Sequence, residues 1–399
     1  MIESRLNTDQ AEYEISRPSA LKLVILIGLV SLFADVTYEG ARSISGPFLA
    51  VLGASATSVG IIAGCGELIG YALRLASGYL ADRSKKYWTL LFAGYGLTFI
   101  AVPLLALAGS WEIAALLLVA ERIGKAIRTP SRDVILSCAS DQIGRGWGFG
   151  LHEALDQVGA ICGPLAMAAA FYFTGSYRTG FCLLLIPALV AFSVLAFARQ
   201  VYPNPHDLES ATIKLESKGF SRSFWLYLVA IGCVAAGYAD FPLVAYHFKK
   251  VGTVPEYCIP IFYAVAMGVD AVAALIFGRL FDRIGFPVLL APVLLSSLFA
   301  PLAFWGGFYP ALVGMALWGV GMGAQESIVR AAIADMVPRA RLGFAFGLFN
   351  TAYGFAWFFG SALMGLLYDV SVTALVVFSI AAQLAAVPVL LISRGQIGE

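Results

Sequence analysis

The chain has 399 residues, of which 60% are hydrophobic and 13% are charged, and its formal net charge is +1. A water-soluble domain needs far more polar surface than this, so the composition indicates an all-α integral membrane protein. The near-zero net charge offers no basic or acidic surface, and nucleic acid is set aside as a partner. The six cysteines show no C-x-x-C spacing, so we expect no disulfide, no metal site and no cofactor.

Residues 1–20 lack the pattern of a signal peptide and are predicted to form a polar cytoplasmic tail. A bilayer core about 30 Å thick needs roughly 20 apolar residues per helix. That length predicts twelve membrane spans, numbered 1 to 12 in chain order. Their predicted bounds are 21–51, 56–80, 87–108, 111–134, 147–173, 179–198, 223–247, 257–280, 286–305, 309–334, 343–367 and 372–393.

The distribution of lysine and arginine predicts the orientation of these spans. With the N-terminus inside, only Arg178, Lys249 and Lys250 fall outside, whereas Arg128 and Arg132 count as cytoplasmic. Both termini are therefore expected in the cytoplasm, and the setting that we expect is a bacterial inner membrane. The predicted parts are an N-terminal bundle at 21–198, a cytoplasmic connector at 199–222, a C-terminal bundle at 223–393 and a tail at 394–399.

Two short motifs recur with a period of about half the chain. The first occurs as "GYLADRSKK" at 78–86 and as "GRLFDRIGF" at 278–286, which share G-x-L-x-D-R at the ends of spans 2 and 8. The second occurs as "GFGLHEA" at 148–154 and "AFGLFNT" at 345–351, at the starts of spans 5 and 11. Two matches in register predict two six-helix bundles with the same internal topology.

Twelve spans arranged as six plus six, with G-x-L-x-D-R in both halves, resemble the major facilitator superfamily of secondary transporters. The resemblance implies two bundles related by pseudo-two-fold symmetry, and a solute carried by alternating access. The first copy departs from the fuller superfamily pattern D-R-x-G-R-K, because Lys85 stands where glycine is usual. The resemblance also implies a gating role for the motif residues, which are Gly78, Asp82, Arg83, Gly278, Asp282 and Arg283.

The stretch "GAICGPLAMA" at 159–168 is similar to the G-x-x-x-G-P motif of the superfamily's proton-coupled exporters. The alternative is that Gly159, Gly163 and Pro164 serve only close helix packing and bending. We favour export coupled to protons, and the alternatives are proton-coupled uptake or uniport. The expected partners are a small polar or amphiphilic solute, protons and the lipid bilayer, and the expected state is a monomer.

Charged residues inside the predicted spans are the main evidence for a functional site in this sequence. One charge at mid-bilayer costs on the order of 3 kcal/mol, so it persists only when it is paired or hydrated. Asp35, Glu39 and Arg42 follow i, i+4, i+7 spacing and share one face of span 1, which we expect to face the interior. In the superfamily, spans 1, 4, 7 and 10 line the central cavity, and this chain has at least one charged residue in each of them.

The predicted site residues fall into two groups. Those assigned to proton coupling are Asp35, Glu39, Glu153 and Asp156. Those assigned to the substrate cavity are Tyr38, Arg42, Glu121, Arg122, Lys125, His152, Asp240, Glu326 and Arg330. Arg122 also resembles the arginine of the superfamily's span-4 motif, which is tied there to proton coupling.

Simpler roles exist for several of these charges. Glu67, Arg74 and Asp270 are favoured as structural ion pairs or boundary residues, and Glu121 with Lys125 has the spacing of a local pair. A membrane enzyme is disfavoured because the chain has three histidines and no H-E-x-x-H pattern. A channel is disfavoured because it would not need two bundles that move against each other.

Overall fold

The structure is a computed structural model that describes residues 17–141, 143–203, 220–337 and 342–395. Most of the predicted N-terminal tail, most of the connector and the last four residues of the C-terminal tail lie outside this part of the chain. The same holds for the side chain of Arg330, so its predicted place in the cavity stays a prediction.

The described residues form α-helices joined by short turns, and no strand occurs among them. The first bundle contains α1 (Arg17–Val51), α2 (Ala56–Ser84), α3 (Tyr87–Leu104), α4 (Trp111–Asp141), α5 (Arg145–Thr174), α6 (Tyr177–Leu183) and α7 (Leu185–Val201). The second contains α8 (Arg222–Ala236), α9 (Phe241–Val251), α10 (Ile259–Ile284), α11 (Leu290–Ser297), α12 (Phe299–Phe304), α13 (Phe308–Met336), α14 (Leu342–Val370) and α15 (Val372–Gly395). Short 3₁₀ turns lie at Leu105–Leu107, Glu256–Cys258 and Phe286–Leu289.

These helices make twelve antiparallel spans, because α6 with α7, α8 with α9, and α11 with α12 each form one broken span. Ten of the twelve are long and apolar enough to cross a membrane by composition alone. The other two are α4, which carries many charges, and α14, which is rich in glycine and polar residues. The all-α, two-bundle prediction is confirmed.

Span 7 is broken, although the sequence predicts one continuous helix over 223–247. The first part ends at Ala236, and the second begins at Phe241 with Pro242 in its first turn. Proline lacks a backbone N–H and clashes with the preceding turn, so a helix can start at it but not run through it. The break places Asp240 at the N-cap of α9, in the middle of the membrane span.

Span 4 is longer than predicted, because α4 runs to Asp141 instead of ending at 134. Arg128 lies inside this helix, within the predicted bounds of span 4, and it is 3% exposed. Its guanidinium donates to Thr98 Oγ1 at 2.9 Å and stacks over the Tyr95 ring at 4.7 Å. A hydropathy window ends at such a charge, although aromatic rings can hold it within a bundle.

Each bundle is packed around its own helix pairs. The two bundles meet mainly along three other pairs, in which one helix comes from each bundle. Within the bundles α1 packs on α5, α3 on α4, α10 on α13 and α8 on α15. Across the bundles α2 packs on α14, α5 on α10 and α1 on α9. Gly159 and Gly163 of α5 lie directly against the backbone of Leu32 and Val36 on α1, where a side chain would not fit. α1 is thereby held close to α5 on one side, and it packs on α9 of the second bundle.

Candidate functional site

A cluster of ion pairs joins the two bundles at mid-span. Arg42 of α1 contacts Asp240 Oδ1 at 2.6 Å and Glu67 Oε1 at 3.2 Å, each through Nη2. Arg122 of α4 contacts the same Glu67 oxygen at 3.3 Å and Glu121 Oε2 at 3.3 Å. Since Asp240 belongs to the second bundle and the others to the first, the Arg42–Asp240 pair is a direct link between them.

A second branch of the cluster extends along α1 and α4. Tyr263 of α10 donates to Glu39 Oε2 at 2.5 Å, which is another link between the bundles. Lys125 Nζ lies 4.0 Å from Glu39 Oε1 and 4.1 Å from the centre of the Tyr38 ring. Lys125 therefore reaches toward Glu39, whereas Glu121 pairs with Arg122. The possible local pair between Glu121 and Lys125 is not the arrangement found.

A cavity of about 160 Å³ adjoins this cluster. Its lining on α2 runs from Glu67 to Arg74, and its lining on α14 runs from Trp357 to Phe349. Both runs lead to the end of the molecule at which α1 begins and α15 ends, which we call the terminal side. The full lining consists of Glu39, Arg42, Glu67, Tyr71, Arg74, Arg122, Lys125, Tyr263, Met267, Met322, Gln325, Glu326, Phe349, Asn350, Tyr353 and Trp357.

A smaller chamber of about 40 Å³, large enough for one water molecule, lies on the other side of Arg42. Its polar lining includes Tyr38, Ser45, Glu121 and Asp240, and Arg42 and Arg122 line both spaces. Inside it, Glu121 Oε1 and Arg42 Nε are buried without a hydrogen-bond partner. The ion-pair cluster thus separates the larger cavity, on the terminal side, from the smaller chamber on the other side of Arg42.

The end opposite the termini, which we call the far side, is closed by direct contacts between the bundles. The Asp369 carboxylate accepts from the backbone N–H and the hydroxyl of Thr57 at 2.8 and 2.7 Å. Tyr246 donates to the Ala54 carbonyl oxygen at 3.2 Å. Tyr177 donates to Glu256 at 2.6 Å. The site therefore lies below a sealed far side.

A third polar set lies inside the first bundle. His152 Nε2 lies 2.9 Å from Ser31 Oγ, and its Nδ1 faces Asp156 Oδ2 at 3.5 Å. The Arg132 guanidinium lies 3.6 Å from the same Asp156 oxygen. His152, Glu153 and Asp156 are close enough together for a metal ion, since their ligand atoms lie within 4.8 Å of one another. The Arg132 guanidinium lies beside the same carboxylate, and the Ser31 hydroxyl is hydrogen-bonded to His152.

Several predicted residues lie away from both chambers. Asp35 is buried at 7% exposure against Gly159, and Glu153 is exposed on α5. The gating motifs lie at the ends of α2 and α10, on the terminal side, and all four of their charged side chains are exposed. Their predicted closing contacts with the other bundle stay a prediction.

Two residues of the cluster received no site role from the sequence. Glu67 was favoured as a structural charge, yet it bridges Arg42 and Arg122. Its i, i+4, i+7 spacing to Tyr71 and Arg74 is a signal that could have placed it on the cavity face. Tyr263 carries no such signal, because a tyrosine in a membrane span resembles ordinary packing.

The family model described as Major Facilitator Superfamily matches residues 27–360 and 259–396. The chain belongs to the major facilitator superfamily. An uncharacterised protein of Mycobacterium tuberculosis is 41% identical over 375 residues, which cover 92% of this chain and 92% of that protein. An uncharacterised MFS-type transporter of Methanocaldococcus jannaschii is 26% identical over 364 residues, covering 88% of this chain and 89% of that one.

Solved structures of superfamily transporters share the fold. The nucleoside transporter NupG superposes with a TM-score of 0.72 at 12% identity, covering 94% of this chain and 98% of that one. A bacterial homologue of the iron transporter ferroportin, in an inward-facing state, gives 0.68 at 17% identity, with 94% and 98% covered. At these identities the likeness establishes the architecture, and membership of the superfamily makes the chain a multi-pass membrane transporter of small molecules.

Proposed function

We propose that this transporter moves a small polar or amphiphilic solute by alternating access, and that the movement is coupled to protons. The observation that carries the proposal is the cluster of Arg42, Asp240, Glu39 and Tyr263, which joins the bundles between a terminal-side cavity and a closed far side. Movement of one bundle against the other must break both links. Charges that lose their partners in each cycle are free to bind a solute or a proton.

Glu39 is the carboxylate best placed to couple the two events. Tyr263 donates to it from the opposite bundle, and Lys125 lies 4.0 Å away in its own bundle. A donor and a cation both favour the charged form of a carboxylate, and burial without them favours the neutral form. Separation of the bundles removes Tyr263, so the preference of Glu39 for a proton changes within the cycle. Asp35, Glu153 and Asp156 are proposed as further carriers along α1 and α5.

Export is the direction that we favour, with the terminal side in the cytoplasm. Close contact of Gly159 and Gly163 with α1 supports a role for the G-x-x-x-G-P stretch in holding the charged face of that helix. Proton-coupled uptake and uniport remain the alternatives, and transport measured in both directions separates them. In the same scheme Asp82 and Asp282 close the terminal side in the other half of the cycle, and the protein acts as a monomer in a bacterial inner membrane.

A solute screen on the purified protein tests the proposal first. Thermal stabilisation is measured against panels of amino acids, sugars, organic acids, nucleosides, metal ions and drugs, because a ligand that binds only the folded state raises the unfolding temperature. The solute found is then loaded into proteoliposomes, and the internal pH is followed as it moves. Solute flux accompanied by proton flux in wild type, and lost with Glu39→Gln, supports the proposal.

A matched control is Glu112→Gln, which changes an exposed carboxylate at the far-side end of α4. It should leave both fluxes unchanged. Solute flux without any proton flux in the wild type would refute proton coupling, and equal proton flux in wild type and Glu39→Gln would refute the role of Glu39.

A further inference from the structure

One acidic side chain in the second bundle has no part in the ion-pair cluster. Asp270 lies in the middle of α10 and is 2% exposed, and its Oδ1 atom is buried without a hydrogen-bond partner. Gly323 of α13 packs directly on the Asp270 backbone and carboxyl group, and Gly319 packs in the same way on Ala266. Absence of side chains at these glycines lets the two helices close over the carboxyl group.

The titratable groups that interact electrostatically with this carboxyl group are acids and a neutral phenol. They are Glu326 on α13, Glu153 on α5, Glu39 on α1 and Tyr238 in the break between α8 and α9. Among the side chains that the structure describes, no lysine, arginine or histidine forms an ion pair with Asp270. Among the described groups around it, the amide of Gln157 is a hydrogen-bond partner of the carboxyl group.

That contrasts with three other acids of the two bundles, each of which lies beside an arginine. Asp240 and Glu67 each lie within 3.2 Å of Arg42, and Asp156 lies within 3.6 Å of Arg132. An ionised carboxylate moved into a low-dielectric interior loses several kcal/mol of hydration, which only a close cation and hydrogen bonds restore. Without them, such a group takes up a proton instead.

Asp270 also lies where the bundles touch. Gln157 of α5 presents its amide to the carboxyl group, and Ile161, one turn further along α5, contacts Gly268. Tyr263, two turns earlier on α10, holds Glu39 of α1. Part of the cover over Asp270 is therefore supplied by the opposite bundle, and that part is removed when α5 and α10 separate.

We propose that Asp270 is a proton-binding site of the second bundle, occupied while α5 covers it and emptied into water when the bundles part. The step is a proton transfer between water and the carboxyl oxygen, with no redox partner and no other bond changed. The inference that Asp270 carries a proton in this arrangement rests only on the groups that surround it. Its release during the cycle rests on the proposed alternating access. The coupling would then involve acids on both bundles, with Asp270 joining Glu39.

Infrared spectroscopy of purified protein in lipid nanodiscs tests the proposal without any solute. Protonated carboxyl groups absorb at a frequency distinct from carboxylates, so the band at neutral pH is compared in wild type, Asp270→Asn and Glu112→Gln. We expect Asp270→Asn to lose a protonated-carboxyl band that the wild type and Glu112→Gln retain. An identical band in all three proteins would show that Asp270 is ionised and would overturn the proposal.

Asparagine resembles the neutral carboxyl group in shape and can still form a hydrogen bond with Gln157. The Asp270→Asn protein should therefore fold. Its unfolding temperature should exceed that of wild type by an amount that grows as the pH rises above about 4, because the unfolded wild type then ionises Asp270 while the covered carboxyl group of the folded state stays neutral. A variant that fails to fold, or that is less stable at every pH, would contradict a neutral Asp270. Either result leaves the transport measurements with Glu39→Gln unaffected, so the two proposals fail separately.

Discussion

The far-side closure depends on a carboxylate that crosses between the bundles, and Asp369→Ala is expected to weaken it. Asp369 lies at the end of α14 and binds the first turn of α2, with its oxygens 3.3 Å from the Ala56 nitrogen and 2.8 Å from the Thr57 nitrogen. It also accepts from the Thr57 hydroxyl at 2.7 Å. The substitution removes all three bonds and leaves the start of α2 with one cap fewer.

The magnitude follows from the type of bond and its exposure. Loss of a helix N-cap costs about 1 kcal/mol, and up to about 2 in favourable cases. Asp369 is exposed, so the lower part of the range for charged hydrogen bonds applies. A loss of about 1–2 kcal/mol changes the ratio of far-side-closed to far-side-open molecules by a factor of roughly 5–30.

Distances between spin labels on the far side measure that ratio directly. Leu107 in the first bundle is 77% exposed and Tyr309 in the second is 78% exposed, so both accept labels after the six native cysteines are replaced. Asp369→Ala should add a longer distance to the distribution, whereas Glu112→Gln should not. A distribution identical to wild type would refute the reasoning that this carboxylate holds the far side closed.

Three further substitutions test other parts of the structure. Arg42→Gln leaves Asp240 buried without its cation and should cost about 3–5 kcal/mol, seen as a lower unfolding temperature; Arg42→Gln with Asp240→Asn should recover part of it, and equal losses would argue against the pair. Asp82→Asn should impair transport while membrane insertion, followed by surface labelling, stays normal; full transport would contradict its gating role. Gly163→Val places a branched side chain against the Val36 backbone and should reduce the yield of folded protein, unlike a valine at a lipid-facing position of α5.

The sequence predicts the architecture because the bilayer imposes a minimum length and an apolar composition on each spanning helix. Both can be recognised in the sequence without knowing which helices pack together. The two copies of G-x-L-x-D-R lie at the ends of α2, which ends at Ser84, and α10, which ends at Ile284. These are equivalent places in the two bundles. Hydropathy fails where a span is apolar but discontinuous. In span 7 the run of apolar residues continues through the break, and only Pro242 marks it.

Pairings inside the site depend on tertiary contacts that spacing cannot supply. The i, i+4 rule suggests Lys125 for Glu121, but the tertiary structure brings Glu39 to Lys125 and turns Glu121 to Arg122. Helical phase places Glu39 and Arg42 on one face of α1, and both side chains line the larger cavity. It cannot predict that Tyr263 of the other bundle completes the set, because that contact depends on how the bundles dock.

We propose that a proton gradient drives solute movement through the charges that join the bundles. The most direct test of this proposal is an imposed pH gradient across proteoliposomes that hold the purified transporter, with the solute from the screen at equal concentration on both sides. Wild type is expected to move the solute against its own gradient until the pH gradient collapses, and Glu39→Gln is expected only to equilibrate it. If the wild type also only equilibrates the solute, with the protein shown to be folded and active in exchange, proton coupling is wrong.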